Sequence, residues 1–114
     1  MLLNMELPQK LCREVARIVQ EGLVNVRKHS GAKQVLVRLA GHDRELVLTL
    51  EDDGKGFPFT GRLEQTELDS QGKGPLVIKE RVRLMDGTLT IESNPGQGSR
   101  LEIRIPQVRV LSNG

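Results

Sequence analysis

The segment containing Asp52, Gly54 and Gly56 holds residue types that could bind a planar organic ligand. It directly follows a run in which apolar and polar residues alternate, so it lies at the end of a predicted strand. Glycines at such a position let the backbone turn sharply and approach a flat ring, and a carboxylate can accept a hydrogen bond from an exocyclic amine. Glycine-rich turns after strands are also common without such a role, so the segment alone predicts only a candidate site.

A second glycine pair precedes the later of two predicted helices. Gly72 and Gly74 lead directly into Pro75, a residue suited to the first turn of a helix. Free amide groups at a helix N-terminus can receive a phosphate, although proline removes one of those donors. The pattern is therefore compatible with a phosphate site and equally with an ordinary helix start.

A polar face of the first predicted helix groups Glu21, Asn25 and Lys28, because residues three and four apart are neighbours on a helix. The Asn25 amide oxygen is a hard ligand of the kind that Mg²⁺ takes, and Lys28 could add a positive charge against phosphates. Glu21 is a candidate base or orienting group. His29 lies near the edge of this face, where an imidazole more often caps the helix end. The alternative is a solvated helix face on which Glu21 pairs with Arg17 or Lys28.

Composition restricts the class of protein. Seventeen Lys and Arg against fifteen Asp and Glu give the 114 residues a formal charge of +2, which is too small for a generic polyanion binder. Hydrophobic residues make up 37% of the chain, no apolar run approaches the length of a membrane span, and the start lacks the pattern of a signal peptide. The single cysteine, Cys12, excludes an internal disulfide and is predicted to be a small buried hydrophobe.

Helical periodicity predicts a first helix from Pro8 to about His29. A second helix is predicted between Pro75 and Gly87, since proline suits a helix start and glycine a helix end. The predicted core stripe of the first helix is Cys12, Val15, Val19, Leu23 and Val26.

Four strands are predicted from the alternation of apolar and polar residues. The turns AGHDR and NPGQG join them into two antiparallel hairpins. The polar segment between the hairpins, including a lid over about residues 57–73, shows no sustained period and is predicted to be an irregular loop. The order helix, hairpin, loop, helix, hairpin predicts an α+β fold, a two-layer sandwich of a mainly antiparallel sheet with helices on one face. The apolar strand positions are Val35, Val37 and Leu39; Leu46, Leu48 and Leu50; Leu89 and Ile91; and Leu101, Ile103 and Ile105.

Three motifs in this order together resemble a known family. The strings EGLVNVRKHSGA, EDDGKGF and GKGPLVIKERVRLMDGTLTIESNPGQGS resemble the catalytic and ATP-binding domain of bacterial two-component sensor histidine kinases, particularly the group paired with helix-turn-helix response regulators. The resemblance extends over almost the whole chain, from about Leu7 to Pro106. The wider superfamily, which includes gyrase, the Hsp90 chaperones and MutL, uses the same ATP-binding fold, known as the Bergerat fold.

The resemblance implies a role for each matched residue. Asn25 would be the Mg²⁺ ligand, and Glu21 stands where this group has a carboxylate thought to assist phosphotransfer. Lys28 and His29 match the phosphate-proximal end of the same motif. Asp52 matches the aspartate that reads the adenine amino group. Gly54 and Gly56 match the glycines that line the base pocket, and Gly72 and Gly74 match those that flank the return of the lid beneath the phosphates. Gly96, Gly98 and Ser99 match the last glycine motif, in which Ser99 supplies the hydroxyl.

The family also implies partners. ATP would be the bound nucleotide and Mg²⁺ its cofactor, in the cytoplasm, with no direct contact between this domain and nucleic acid or membrane. The phosphate acceptor would be a histidine on a dimerisation domain, and we find no phosphoacceptor motif in this sequence. We therefore expect a C-terminal fragment of a longer kinase whose further partner is a response regulator. Two alternatives remain open: a serine kinase of the anti-sigma-factor type, and a non-catalytic module of the same fold that docks a partner.

Overall fold

Strands form one layer of the protein and helices form the other in the computed structural model, which describes residues 9–42 and 44–106 apart from the side chains of residues 29, 30 and 42. No helix within those residues is both long and apolar enough to cross a membrane. The predicted α+β class is confirmed. In chain order the described elements are α1 (Gln9–Asn25), which continues as a π-helical turn (Val26–Ser30), β1 (Val35–His42), β2 (Glu45–Asp52), β3 (Gly61–Leu63), α2 (Gln65–Gln71), α3 (Leu76–Leu84), β4 (Thr88–Asn94) and β5 (Gly98–Pro106).

The sheet has the strand order β1-β2-β5-β4-β3, and every neighbouring pair is antiparallel. Leu48 of β2 pairs with Ile103 of β5, which pairs in turn with Leu89 of β4. Because side chains alternate between the two faces of a strand, these apolar residues share the face beneath the helices. The opposite face carries charges, and Arg104 Nη1 lies 2.8 Å from Glu45 Oε1 there. Both predicted hairpins are confirmed.

The hydrophobic core lies between the layers, and no described side chain of β1 belongs to its buried cluster. Val37 and Leu39 of β1 pair with Leu50 and Leu48, on the face that the helices cover, yet both are more than one third exposed. Strand β1 is thus an edge strand that the described helices leave partly uncovered. The buried apolar residues of the core are Val15, Ile18, Leu46, Leu48, Leu50, Phe59, Leu68, Ile78, Val82, Leu89, Ile91, Leu101, Ile103 and Ile105.

Helix α1 is rotated relative to its predicted core stripe. Cys12 and Leu23 of that stripe are exposed, whereas Ile18 and Gly22 are buried. A Cβ atom at Gly22 would lie 2.5 Å from Leu50 Cδ2, so the missing side chain lets the helix approach β2 closely. The sequence prediction ranked positions by hydrophobicity, and a glycine at the point of contact carries no such signal.

The prediction that residues 57–73 form an irregular loop is wrong, because this segment contains β3 and α2. Its role as a lid stays a prediction. Strand β3 pairs with β4 at the edge of the sheet. Helix α2 has a capping box, in which the Glu64 side chain accepts from the backbone amide of Glu67 and the Glu67 side chain accepts from that of Glu64. Its Leu68 side chain is fully buried. The capping box and the buried leucine both anchor this short helix, and neither produces a sustained period.

Helix α3 begins after Pro75 as predicted but ends at Leu84, before Gly87. The residue in the left-handed conformation after the helix is Asp86, with φ of 56°. Gly87 serves a different purpose, because a Cβ atom there would lie 2.8 Å from the Arg104 carbonyl oxygen. Gly87 therefore permits two backbone segments to approach closely, and the prediction that it ends the helix is wrong.

Candidate functional site

A cavity of about 500 Å³ opens between the end of α1, the loop after β2 and the start of α3. Its volume lies within the range of about 300–1,000 Å³ that is usual for small-molecule sites. Two of the residues that line it are Asn25 and Asp52, which belong to motifs predicted to contact opposite ends of one ligand. The predicted site residues that line this cavity are Asn25, Asp52, Gly56, Gly72, Gly74 and Ser99.

The Asp52 carboxylate is held by two hydrogen bonds at the end of β2. Asp52 Oδ1 accepts from the Gly54 amide at 2.8 Å, and Asp52 Oδ2 accepts from the Ser99 hydroxyl at 2.8 Å. Asp52 pairs with Ser99 in the register of β2 and β5, so the sheet itself brings the two side chains together. Each carboxylate oxygen has a further lone pair. The fixed carboxylate can therefore accept another hydrogen bond from a ligand in the cavity.

Gly54, unlike the other two residues of its motif, does not line the cavity and acts through its bond to Asp52. Gly56 has φ of 77°, and a Cβ atom there would lie 2.8 Å from the Gly98 carbonyl oxygen. Gly98 has φ of 124°, and a Cβ atom there would overlap the Asp52 carbonyl. Both glycines let the β4–β5 turn pack against the segment that carries Asp52.

The adjacent carboxylates of Asp52 and Asp53, at the end of β2, make different contacts. Asp53 Oδ1 accepts from the backbone amides of Lys33 at 2.8 Å and Gln34 at 3.0 Å. The hydrogen bonds from Gln34 and Lys33 lower the pKa of Asp53 below its ordinary value. Asp53 thus fastens the chain before β1, and the carboxylate that lines the cavity is that of Asp52.

Helix α1 contributes Gly22 and Asn25 to the cavity wall, and the π-helical turn that follows it contributes Val26. Asn25 is the last residue of α1 and is half-buried. Glu21 is also half-buried, but neither it nor the exposed Lys28 belongs to the lining.

Glu21 forms no ion pair with any cation of the described residues, so the alternative pairing with Arg17 or Lys28 is absent there. The His29 side chain lies outside the described residues. The structure therefore brings Asn25 to the cavity without placing Glu21 or Lys28 in its lining.

An aromatic pair and a lysine also line the cavity. The rings of Phe57 and Phe59 stack with centroids 5.8 Å apart. Lys73 Nζ lies 5.5 Å from the Phe59 ring centroid, within the range of a cation–π contact. Lys73 has no carboxylate within 4.0 Å among the residues that the structure describes. Its ammonium group is therefore available to an anionic ligand.

Sequence reasoning did not single out Lys73, Phe57 or Phe59. The only signal for Lys73 was its position between Gly72 and Gly74. Phe57 is fixed by Ser93, whose hydroxyl accepts from the Phe57 amide at 2.8 Å and donates to its carbonyl at 3.1 Å. No periodic pattern indicates such a contact between residues 36 positions apart.

An ion pair joins the two helices beside the cavity. Arg81 Nη1 of α3 donates to Glu14 Oε1 of α1 at 2.9 Å, and both side chains are at most about one quarter exposed. Partly buried pairs of this geometry are screened less by solvent than surface pairs. The pair therefore helps to fix the spacing between the helix that carries Asn25 and the helix that follows Gly74.

The described residues contain no group of three or more His, Cys, Asp or Glu side chains placed to hold a metal ion. A cation that takes most of its ligands from the protein is not favoured by this donor set. Mg²⁺ commonly takes few protein oxygens and completes its shell with phosphates and water. The single Asn25 amide in the cavity fits that manner of binding.

Comparisons with known proteins show which family this chain resembles. The family described as "Histidine kinase-, DNA gyrase B-, and HSP90-like ATPase" matches residues 12–109. The sensor histidine kinase ComP of Bacillus subtilis (strain 168) is 44% identical over 89 residues, which are 78% of this chain and 11% of that protein. Sensor protein VraS of Staphylococcus aureus (strain COL) is 32% identical over 103 residues, 90% of this chain and 28% of that protein.

Solved structures share the fold. The blue-light activated histidine kinase of Erythrobacter litoralis EL346 superimposes with a TM-score of 0.70 at 23% identity, covering 90% of this chain and 32% of that one. The ATP-binding domain of PrrB from Mycobacterium tuberculosis gives 0.66 at 24% identity, covering 83% and 68%. This chain spans only 11% and 28% of the lengths of ComP and VraS, so it is homologous to one region of sensor histidine kinases. It belongs to the family of histidine kinase-, DNA gyrase B- and HSP90-like ATPases.

Proposed function

We propose that this domain binds ATP with Mg²⁺ in the cavity and presents the γ-phosphate to a histidine on the dimerisation domain of a sensor kinase. The observation that carries the proposal is that the Asp52 carboxylate and the Asn25 amide line one cavity. They are the side chains that the sequence motifs assign to the adenine and to the metal-bound phosphates. The membership of the chain in an ATPase family supports the same assignment.

The adenine end of the proposed site is the Asp52 carboxylate. Its two internal hydrogen bonds come from Gly54 and Ser99 and hold both oxygens in place before a ligand arrives. Such preorganisation reduces the entropy that is lost on binding. The exocyclic amino group of adenine would donate to this carboxylate, whereas the 6-oxo group of guanine would meet it acceptor to acceptor.

The phosphate end lies between α1 and the Gly72–Gly74 segment. Asn25 would hold Mg²⁺, which when bound neutralises phosphate charge that this nearly neutral domain cannot neutralise alone. Lys73 lines the cavity, and its ammonium group has no carboxylate partner among the described residues, so we assign it a phosphate contact. Lys28 is exposed and outside the lining, so we assign it a more distant role at this end. His29 keeps the phosphate-proximal role that its motif implies.

Glu21 is proposed as the carboxylate that assists phosphotransfer. It lies one helical turn before Asn25 on α1 and is half-buried, so it borders the metal-binding position without lining the cavity. A carboxylate there can hold the proton of an approaching imidazole, which keeps the nucleophile oriented. The approaching group would come from outside the described fold.

The partners of the domain follow from the same proposal. ComP, DegS, UhpB and VraS are named as sensor or signal-transduction kinases, and we infer that this domain likewise acts in a larger cytoplasmic kinase that phosphorylates a response regulator. Neither nucleic acid nor membrane contact is part of this proposal.

The experiment that tests the proposal has a binding arm and a transfer arm. Isothermal titration calorimetry with ATP, with and without Mg²⁺, is expected to show binding that is weaker without the metal. Asn25→Ala is expected to remove this metal dependence. Asn94→Ala serves as the asparagine control, because Asn94 is exposed and outside the cavity lining. Absence of ATP binding by the unaltered chain would refute the proposal.

In the transfer arm, the chain is mixed with γ-labelled ATP and a separately expressed phosphoacceptor domain of ComP. Label is expected on the acceptor through a linkage that acid breaks and alkali preserves, as for phosphohistidine. A linkage with the opposite stability would identify a serine kinase instead. ATP binding without transfer to any acceptor domain tested, including that of the chain's own parent protein, would favour a non-catalytic module.

A further inference from the structure

Helix α3 contains a buried lysine whose ammonium group points away from solvent and toward the glycine-flanked segment. Lys79 is 7% exposed. Its Nζ donates to the Lys73 carbonyl oxygen at 3.0 Å and lies 3.4 Å from Asp69 Oδ1 of α2. Burial of a lysine is costly unless its charge is paired and hydrogen-bonded. Both conditions are met here, so the group is built into the fold rather than tolerated at its surface.

The segment that Lys79 contacts contains two glycines with positive φ. Gly72 and Gly74 on either side of Lys73 have φ of 63° and 90°, and glycine interconverts between backbone regions more readily than other residues. The amides of Gly72 and Lys73 donate to the carbonyls of Asp69 and Leu68. Those bonds continue the end of α2 and fix only the amide side of the segment.

Lys79 supplies the contact that fixes the other side. Among the described residues, the donor to the Lys73 carbonyl is the Lys79 ammonium group. Rotation of the peptide that follows Lys73 would break this bond, and it would also redirect the Gly74 amide. Gly74 lines the cavity at the end assigned to the phosphates.

Asp69 connects the same ammonium group to α2. Its carboxylate also lies 3.5 Å from Arg83 Nη2, and the Arg83 side chain is 62% exposed. The two cations on Asp69 therefore differ: Lys79 is buried and bonded to the glycine-flanked segment, whereas Arg83 is exposed and does not contact that segment. This difference provides a matched control.

We propose that Lys79 is a positioning residue for the polyphosphate of the bound nucleotide. It acts through the Lys73 carbonyl and does not touch the ligand. The proposal rests on the proposed function, because it assigns the Gly72–Gly74 segment to the phosphates. It predicts that loss of the ammonium group weakens binding of ATP but not of adenosine, which occupies only the adenine end. A lysine that merely stabilised the fold would affect both ligands to the same extent.

The test compares Kd for Mg-ATP and for adenosine in Lys79→Met, Lys79→Arg and Arg83→Met, at a temperature where melting curves show each variant to be folded. Lys79→Met keeps an unbranched apolar stem and is expected to weaken Mg-ATP by about tenfold, the equivalent of one charge-assisted hydrogen bond. Adenosine affinity is expected to change by less than about twofold, since the adenine end is untouched. Lys79→Arg should recover most of the loss, and Arg83→Met should bind both ligands as the unaltered chain does.

A parallel loss for Mg-ATP and adenosine, or no loss for either, would overturn the positioning role. The same conclusion would follow if Arg83→Met reproduced the effect of Lys79→Met. Failure of the unaltered chain to bind Mg-ATP would instead overturn the proposed function, and this proposal with it.

If Lys79→Met does not fold, the same ratio is measured in Asp69→Asn. This variant keeps the ammonium group but weakens one of its anchors, and the carboxylate it alters is partly exposed. A selective loss of Mg-ATP affinity of about threefold is then expected. Equal changes for the two ligands would again refute the role.

Discussion

Replacement of Asp52 by asparagine tests the adenine site at a single atom. The Gly54 amide requires an acceptor at the Oδ1 position, where it donates at 2.8 Å. The amide oxygen of the introduced asparagine would take that place, which puts the new NH₂ group at the Oδ2 position beside Ser99. The Ser99 hydroxyl now donates there, and it can rotate to accept instead. The fold therefore keeps both of its internal hydrogen bonds.

The nucleotide does not have the same freedom. The adenine amino group would face an NH₂ donor instead of a carboxylate, and a hydrogen bond to a charged group contributes about 1.5–3 kcal/mol. This corresponds to a loss of about 10- to 150-fold in affinity for ATP. Inosine triphosphate carries an oxygen at that position and is expected to gain affinity, so the ratio of the two dissociation constants should reverse toward inosine triphosphate.

Calorimetric titration of both nucleotides, with a circular dichroism melt for each protein, measures the effect. Asp53→Asn is the matched control, because Asp53 accepts from Lys33 and Gln34 and does not line the cavity. It should bind ATP as the unaltered chain does. Unchanged ATP affinity in Asp52→Asn, or equal losses for the two nucleotides, would show that this carboxylate does not read the base.

Lys73→Met should weaken binding of Mg-ATP by about tenfold and binding of adenosine hardly at all. Lys28→Met should weaken binding of Mg-ATP by less than about threefold, because of these two lysines Lys73 lines the cavity and Lys28 does not. Calorimetric titrations of both variants measure these affinities. Gly98→Ala should abolish both cooperative melting and ATP binding, because its Cβ atom would overlap the Asp52 carbonyl; a variant that melts and binds normally would contradict the close packing. The pKa of Asp53 is lowered in the folded state, so the ionised carboxylate stabilises the fold above its ordinary pKa of 3.8, and this stabilisation is lost as the pH falls below that value. The stability of Asp53→Asn should therefore fall less steeply in acid. An acid-unfolding profile identical to that of the unaltered chain would show that the Asp53 carboxylate does not stabilise the fold.

The sequence was sufficient for the two layers, both hairpins and the carboxylate and glycine motifs. These features depend on local rules: alternation identifies strands, and a glycine-rich turn after a strand is visible in the letters themselves. Asp52 and Asn25 were selected by residue type and motif, and both line the cavity. Helix α2 was missed because the features that anchor it, among them a buried leucine and a capping box, leave almost no periodic trace.

Other features depend on contacts between distant segments and were not accessible to such rules. Lys79 looks like an ordinary charged position on an amphipathic helix until the structure places the Lys73 carbonyl 3.0 Å away. The burial of Gly22 could be predicted only by knowing that Leu50 of β2 packs against it. In both cases the chain neighbours are uninformative, and the partner in space determines the role.

The pairing of Asp52 with Ser99 in β2 and β5 has a consequence for the folding of the sheet. Side chains alternate along a strand, so a slip of one residue would send either partner to the wrong side and dismantle the pocket. A ligand that requires both side chains can bind only molecules whose central strands are correctly aligned. The stoichiometry of a nucleotide titration would thus give the fraction of molecules in which β2 and β5 pair in the native register. Added nucleotide would shift molecules with a misaligned register toward the native one by mass action.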